Sequence, residues 1–224
     1  MDNRIVYIFF AVIVSIEIFS EITLQRTIHL ASKPLIAIIP MLYVLGSKPQ
    51  RDSQAKLFII AGLVFSWIGD CVLMFRQDYS WAFLCGLGAF FFAHVMYIVA
   101  YRVGSQGTFT LSYFAVIPVL GYGIVLFSVL VPLLGSLKIP VALYSLVLVG
   151  MVLTALERSS RTVKRSFVMV SLGAGFFLVS DSVLAWSIFV ENSVAARVLV
   201  MSTYSTAQIL IADGMITHWQ QKNS

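Results

Sequence analysis

The chain has 224 residues; 59% are hydrophobic, and 15 Lys and Arg with 10 Asp and Glu make up its charged 11%. Soluble domains carry roughly 25% charged residues, and a mean hydropathy of +0.93 leaves too little polar surface for a soluble or a disordered chain. An all-α polytopic membrane protein remains, in which the net charge of +5 serves topology and anionic headgroups rather than nucleic acid.

A helix needs about 20 mostly apolar residues to cross the hydrocarbon core. That window predicts eight spans, at 5–24, 29–46, 57–75, 80–101, 109–130, 138–156, 167–189 and 197–216. Polar or turn-like breaks separate them, including Gln25-Arg26, 47–52, Arg76-Gln77-Asp78, 102–107, 132–136, 157–165 and 191–193. The spans occupy so much of the chain that 1–224 reads as a single integral membrane domain. The first span begins with Arg4 and an apolar run, but no small-x-small cleavage site follows and Glu17 and Glu21 continue the helix, so it reads as retained.

With eight spans, one face of the membrane holds Arg4, Lys48, Arg51, Lys56, Arg102, Arg158, Arg161, Lys164, Arg165 and Lys222. The other holds Arg26, Lys33, Arg76, Lys138 and Arg197. The positive-inside rule puts both termini in the cytoplasm. The third and seventh spans share a pattern, Gly62-x-x-Phe65-x-x-x-Gly69-Asp70-x-Val72-Leu73 against Gly173-x-x-Phe176-x-x-x-Ser180-Asp181-x-Val183-Leu184. An offset of four helices makes this a possible parallel 4+4 repeat, faintly echoed by Ala93-His94 and Ala207-Gln208.

Ionisable groups within a span cost at least about 2.5–3.5 kcal/mol at mid-bilayer and usually mark function. Here they are Glu17, Glu21, Asp70, His94, Asp181 and Asp213, with Lys33 at the start of the second span. Depth counting brings Glu17, Lys33, Asp70, Asp181 and Tyr204 to one level in the outer half, Gln208 one turn deeper, and His94 deeper still. Helical stripes agree: Gly62, Ser66, Gly69 and Asp70 on the third span; Gly86, Phe90, His94, Tyr97 and Tyr101 on the fourth; Gly173, Phe177, Ser180 and Asp181 on the seventh. Polar groups at the base of an aromatic cleft suit a ligand with a charged head and a hydrocarbon tail. Each has a plainer reading as well. The aspartates can be structural, His94 a packing residue, Lys33 a snorkelling lysine, Glu21 solvated, and Asp213 interfacial. Cys71 and Cys85 give no metal pattern, allow at most one disulfide, and read as packing residues.

Five motifs in order, Lys33-Pro34-Leu35, Phe65-Ser66-x-x-Gly69-Asp70, Gly86-x-x-x-Phe90-x-x-x-His94-x-x-Tyr97, Gly173-Ala174-x-x-Phe177-x-x-Ser180-Asp181 and Tyr204-x-x-Ala207-Gln208-x-Leu210-Ile211, resemble the YhhN-like lysoplasmalogenase family. The resemblance covers nearly the whole chain and implies an eight-helical membrane hydrolase of the bacterial inner (plasma) membrane. Its implied substrates are lysoplasmalogens, whose vinyl-ether bond it cleaves to a fatty aldehyde and glycerophosphocholine or glycerophosphoethanolamine. It also implies that the family's acidic motifs fall on Asp70 and Asp181, and its lysine, histidine and glutamine positions on Lys33, His94 and Gln208. Vinyl-ether hydrolysis needs one protonated acid and one carboxylate, as in glycoside hydrolysis. Asp70 and Asp181 are the expected catalytic pair. Lys33 is expected on the phosphate, His94 and Gln208 on water or glycerol oxygen, and Tyr97, Ser180, Tyr204 and Glu17 in support, with no metal or cofactor. A metal-dependent amidase runs short of buried histidines. A lipid or small-solute transporter fits the repeat and the midplane acids and stands as the alternative.

Overall fold

The computed structural model describes residues 3–49, 53–103 and 113–220. Among them the chain is helical, with no strand: α1 (Asn3–Thr23), α2 (Arg26–Gly46), α3 (Ser53–Leu73), α4 (Ser80–Val103), α5 (Tyr113–Leu130), α6 (Lys138–Glu157), α7 (Lys164–Phe189) and α8 (Val194–Trp219). All eight are long and apolar enough to cross a membrane, as a chain without water to satisfy its backbone requires. The chain is a multi-pass integral membrane protein. The expected start of the fifth span at 109 lies outside the described residues, as do Arg51 and Lys222 of the orientation count and residues 104–107 of one break.

Local chemistry sets the ends. Ser193 caps α8 by accepting the Ala196 N–H at 3.1 Å, as N-cap serines do. Leu24, with φ of 58°, turns the chain between α1 and α2, and the Gln25 N–H reaches back to the Ser20 carbonyl at 3.1 Å. Pro34 and Pro40 lie inside α2 and Pro118 inside α5, positions that neighbouring helices make tolerable in a membrane.

Neighbour packing closes a ring in the order α1, α2, α3, α4, α6, α7, α8 and back to α1, with α8 also touching α2 and α3. Helix α5 stands outside this ring against α6, and Ile117, Ile124 and Val125 on it are more than 60% exposed, as a lipid-facing surface allows. The α3–α4 and α7–α8 pairs pack most closely. A Cβ at Gly69 would lie 2.6 Å from the Phe90 ring, and one at Gly173 would meet Ile211 at 2.8 Å and the Ala207 carbonyl at 3.1 Å. Small residues thus let these helices approach. The four-helix repeat itself is a sequence correspondence that the fold does not establish.

Four expectations are corrected here. Asp213 is not interfacial: it is 3% exposed and accepts the Tyr43 hydroxyl at 2.8 Å, because α1 and α2 cover this end of α8. Glu21 is not in open water: Arg197 at 3.1 Å and His29 at 3.4 Å enclose it. His94 is not the sole buried histidine, since His218 is 2% exposed. Cys71 and Cys85 are free thiols, and Cys85 is exposed on the surface rather than packed.

Candidate active site

Two polar networks lie inside the bundle. In the first, Tyr204 of α8 donates to Asp70 Oδ2 at 2.6 Å, and Gln208 Nε2, one turn along α8, donates to the Tyr204 oxygen at 2.9 Å. Tyr97 of α4 donates to Gln208 Oε1 at 2.8 Å, and Ser66 of α3 lies 3.4 Å from the Tyr97 hydroxyl. The i, i+4 spacing of Tyr204 and Gln208 puts both on one face, and the stripe Ser66/Asp70 answers from α3. Lys33 is 8% exposed and does not snorkel. Its ammonium lies within electrostatic reach of both Asp70 and Glu17. Glu17, fully buried, accepts Ser32 at 2.6 Å and pairs with His29 Nδ1 at 2.8 Å.

In the second network, the Tyr144 hydroxyl of α6 donates to Asp181 Oδ2 in a short hydrogen bond. His94 Nε2 lies 2.9 Å from the Tyr144 oxygen and 3.3 Å from Asp181 Oδ2. The other ring nitrogen, His94 Nδ1, is buried and has no hydrogen-bond partner among the described residues. One ring nitrogen of an otherwise satisfied imidazole is therefore left without a partner inside the bundle.

Aromatic rings stand between the two. The Phe177 centroid is 4.7 Å from His94 and 5.4 Å from Tyr204, and Phe90 packs 6.3 Å from Phe177 and 6.0 Å from Tyr204. The two aspartates thus belong to separate networks, each held by its own tyrosine. Their exposure also differs. Asp181 lines a partly open apolar cavity of about 60 Å³, walled by Phe83, Leu87 and Phe90 of α4, Leu126 and Phe127 of α5, and Tyr144 of α6. Asp70, 2% exposed, lines no such cavity among those described.

Of the residues singled out in the sequence, Asp70, Tyr97, Tyr204, Gln208, Lys33 and Glu17 come together, and Asp181 joins His94. Ser180 faces elsewhere, its hydroxyl donating to the Val200 carbonyl at 3.2 Å and so tying α7 to α8. The sequence reading missed Tyr144, Ser32 and His29. Tyr144, beside Ser145, has as its only cue a hydroxyl within the long apolar run of α6. Glu17, Glu21 and His29 are a group whose ligand atoms lie within 4.8 Å of one another. The protein already engages each of them, through Ser32, Arg197 and the Glu17–His29 pair.

Fold and site together define a polytopic membrane protein with an acid–tyrosine–histidine centre at the base of an intramembrane apolar cavity. The chain belongs to the YhhN family, whose model matches residues 28–215. It is 34% identical over 152 residues to "Lysoplasmalogenase TMEM86B" of Sus scrofa, covering 67% of this chain and 59% of that one. It is 32% identical over 149 residues to "Lysoplasmalogenase TMEM86B" of Homo sapiens, covering 66% and 59%. With "Lysoplasmalogenase" of Mycobacterium tuberculosis it shares 28% over 201 residues, covering 87% and 73%. The matched region thus spans 59% of the length of the two TMEM86B relatives. No solved structure matches.

Proposed function

We propose that this chain is a lysoplasmalogenase, hydrolysing the vinyl-ether bond of alkenyl-glycerophosphocholine or alkenyl-glycerophosphoethanolamine within the membrane. The observation that carries the reading is a carboxyl, Asp181, held by Tyr144 and His94 against an apolar cavity. The names of the family relatives support the substrate class.

The chemistry assigns the groups unequal roles. Protonated Asp181 delivers its proton to the β-carbon of the vinyl ether, whose π electrons form the new C–H bond and leave an oxocarbenium ion. Water adds to that cation and loses a proton to the Asp181 carboxylate or to the free nitrogen of His94. The hemiacetal then collapses, its C–O bond breaking as the glycerol oxygen takes a proton, to give fatty aldehyde and glycerophospho-alcohol. Asp70 is the second carboxylate of the pair. It lies beyond Phe177 and acts through its charge, fixed by Tyr204 and Lys33, rather than by contact with substrate. Tyr97 and Gln208 hold Tyr204 in place.

In a bacterial inner membrane with both termini cytoplasmic, the site lies in the outer half of the bilayer. The purified protein is expected to release aldehyde and glycerophospho-alcohol in equal amounts. Asp181→Asn should lower kcat by about 10²–10⁴-fold, the range of a lost general acid. Asp70→Asn should lower it by about 10²-fold, with both variants unfolding near the wild-type temperature. Wild-type turnover in folded Asp181→Asn, or no aldehyde from any alkenyl lysolipid, overturns the reading.

A further inference from the structure

Three cavities lie in series between the surface and Asp181, each adjoining the next through shared wall residues. A polar mouth of about 320 Å³ is lined by Glu21, Arg26, His29, Arg76, Gln77, Asp78, Asn192 and Arg197 among others. A second cavity shares Arg76, Gln77 and Asn192 with that mouth, and shares Phe83 and Ile188 with the apolar cavity that Asp181 lines. The series is polar at its outer end and hydrocarbon-lined at its inner end, and Arg76 lines the outer two cavities.

Arg76 differs from its neighbours in making no ion pair among the described residues. Arg26 pairs with Asp78, and Arg197 pairs with Glu21 at 3.1 Å. Arg76 is half-buried, and no carboxylate lies within ion-pair distance of it among the described residues. Burial, with the nearby Arg197 charge, pulls its guanidinium down from its ordinary value, and Glu21 across the mouth offsets only part of this. Beside it, Asn192 uses its side-chain oxygen to accept from Arg197 at 3.0 Å and from Ser187 at 3.4 Å. Asn192 lines both outer cavities, and no acceptor for its amide nitrogen is seen among the described residues. A guanidinium fork with an amide donor beside it matches a phosphate oxygen pair.

Ile188, a wall residue common to the Arg76 cavity and the Asp181 cavity, is seven residues from Asp181, about 10 Å along α7. Seven bonds separate phosphorus from the vinyl β-carbon of a lysoplasmalogen, a contour of about 10 Å at about 1.5 Å per bond.

We infer that Arg76, with Asn192, binds the phosphodiester of the lysolipid headgroup and so sets the vinyl ether at the depth of Asp181. This rests on the lysoplasmalogenase reading and moves the phosphate contact from Lys33, which faces Asp70 and Glu17, to the α3–α4 turn. Arg76→Ala is expected to raise KM for alkenyl lysolipid about 10- to 100-fold, as the loss of a charge-assisted hydrogen bond does, with kcat within twofold. Arg76→Lys should recover part of that loss. Lys138→Gln, which removes an exposed charge at the start of α6, should leave KM unchanged.

A binding measurement separates this inference from the activity. In detergent, the wild type should bind a non-hydrolysable 1-O-alkyl lysophospholipid about 10- to 100-fold more tightly than the matching 1-O-alkylglycerol, and Arg76→Ala should abolish the difference. Inorganic phosphate at millimolar concentration should not displace the lysolipid. Equal binding of the two lipids, an unchanged KM in Arg76→Ala, or displacement by free phosphate overturns the inference. If no alkenyl lysolipid is cleaved yet the binding difference holds, the activity reading fails and the phosphate site stands.

Discussion

Tyr144 is the side chain whose removal speaks most directly to how Asp181 is held. Its hydroxyl donates to Asp181 and contacts His94, so Tyr144→Phe removes the orienting donor while keeping the ring. A hydrogen bond to an ionisable group contributes about 1.5–3 kcal/mol, and kcat is expected to fall about tenfold or more while KM is unchanged. A steady-state kcat and KM series on alkenyl lysolipids checks this, and a KM effect alone would contradict it. Ala185 tests the cavity from the other side. It lines the wall beyond Asp181, so Ala185→Phe should fill hydrocarbon space and suppress turnover of long-chain substrates more than short-chain ones.

At the level of elements, closely packed helix pairs position the site, and α5 covers it. Gly173 allows α7 to lie against α8, so Gly173→Ala pushes a methyl toward a backbone carbonyl that cannot rotate away. Overpacking of this kind costs about 1–3 kcal/mol, to be read as a lower unfolding temperature in detergent. The cavity of about 60 Å³ is smaller than the roughly 150 Å³ that accommodates a benzene ring. A long alkenyl chain therefore needs α5, outside the ring and packed mainly on α6, to yield. The helices were legible in the sequence because a spanning segment is recognised by apolar length alone, and α4 and α7 match their expected spans within three residues at each end. Their partners were not. Linear order does not say that α6, rather than α5, is the ring neighbour of α4, so Tyr144 could not be joined to His94 and Asp181 from the sequence. Asp70, Tyr204 and Gln208 were legible because an intramembrane polar group is rare and depth counting brings them within a turn of one level, with Asp70 also on a small-residue stripe of α3.

For the whole molecule, the asymmetry of Lys and Arg is the basis for cytoplasmic termini. In a background lacking Cys71 and Cys85, Lys138→Cys should react with a membrane-impermeant thiol reagent from outside the cell. Lys164→Cys, exposed at the start of α7, should react only once the membrane is opened. The reverse pattern would invert the orientation and place the cavity series on the inner leaflet. The most direct measurement for the whole reading is hydrolysis of an alkenyl lysolipid in D₂O, with the aldehyde trapped by reduction and weighed by mass spectrometry. The expected result is one solvent deuteron at carbon 2 of the released chain, and aldehyde release by Asp181→Asn lowered about 10²–10⁴-fold. Aldehyde without that deuteron, or release by Asp181→Asn at the wild-type rate, would contradict proton delivery by Asp181 to the vinyl ether.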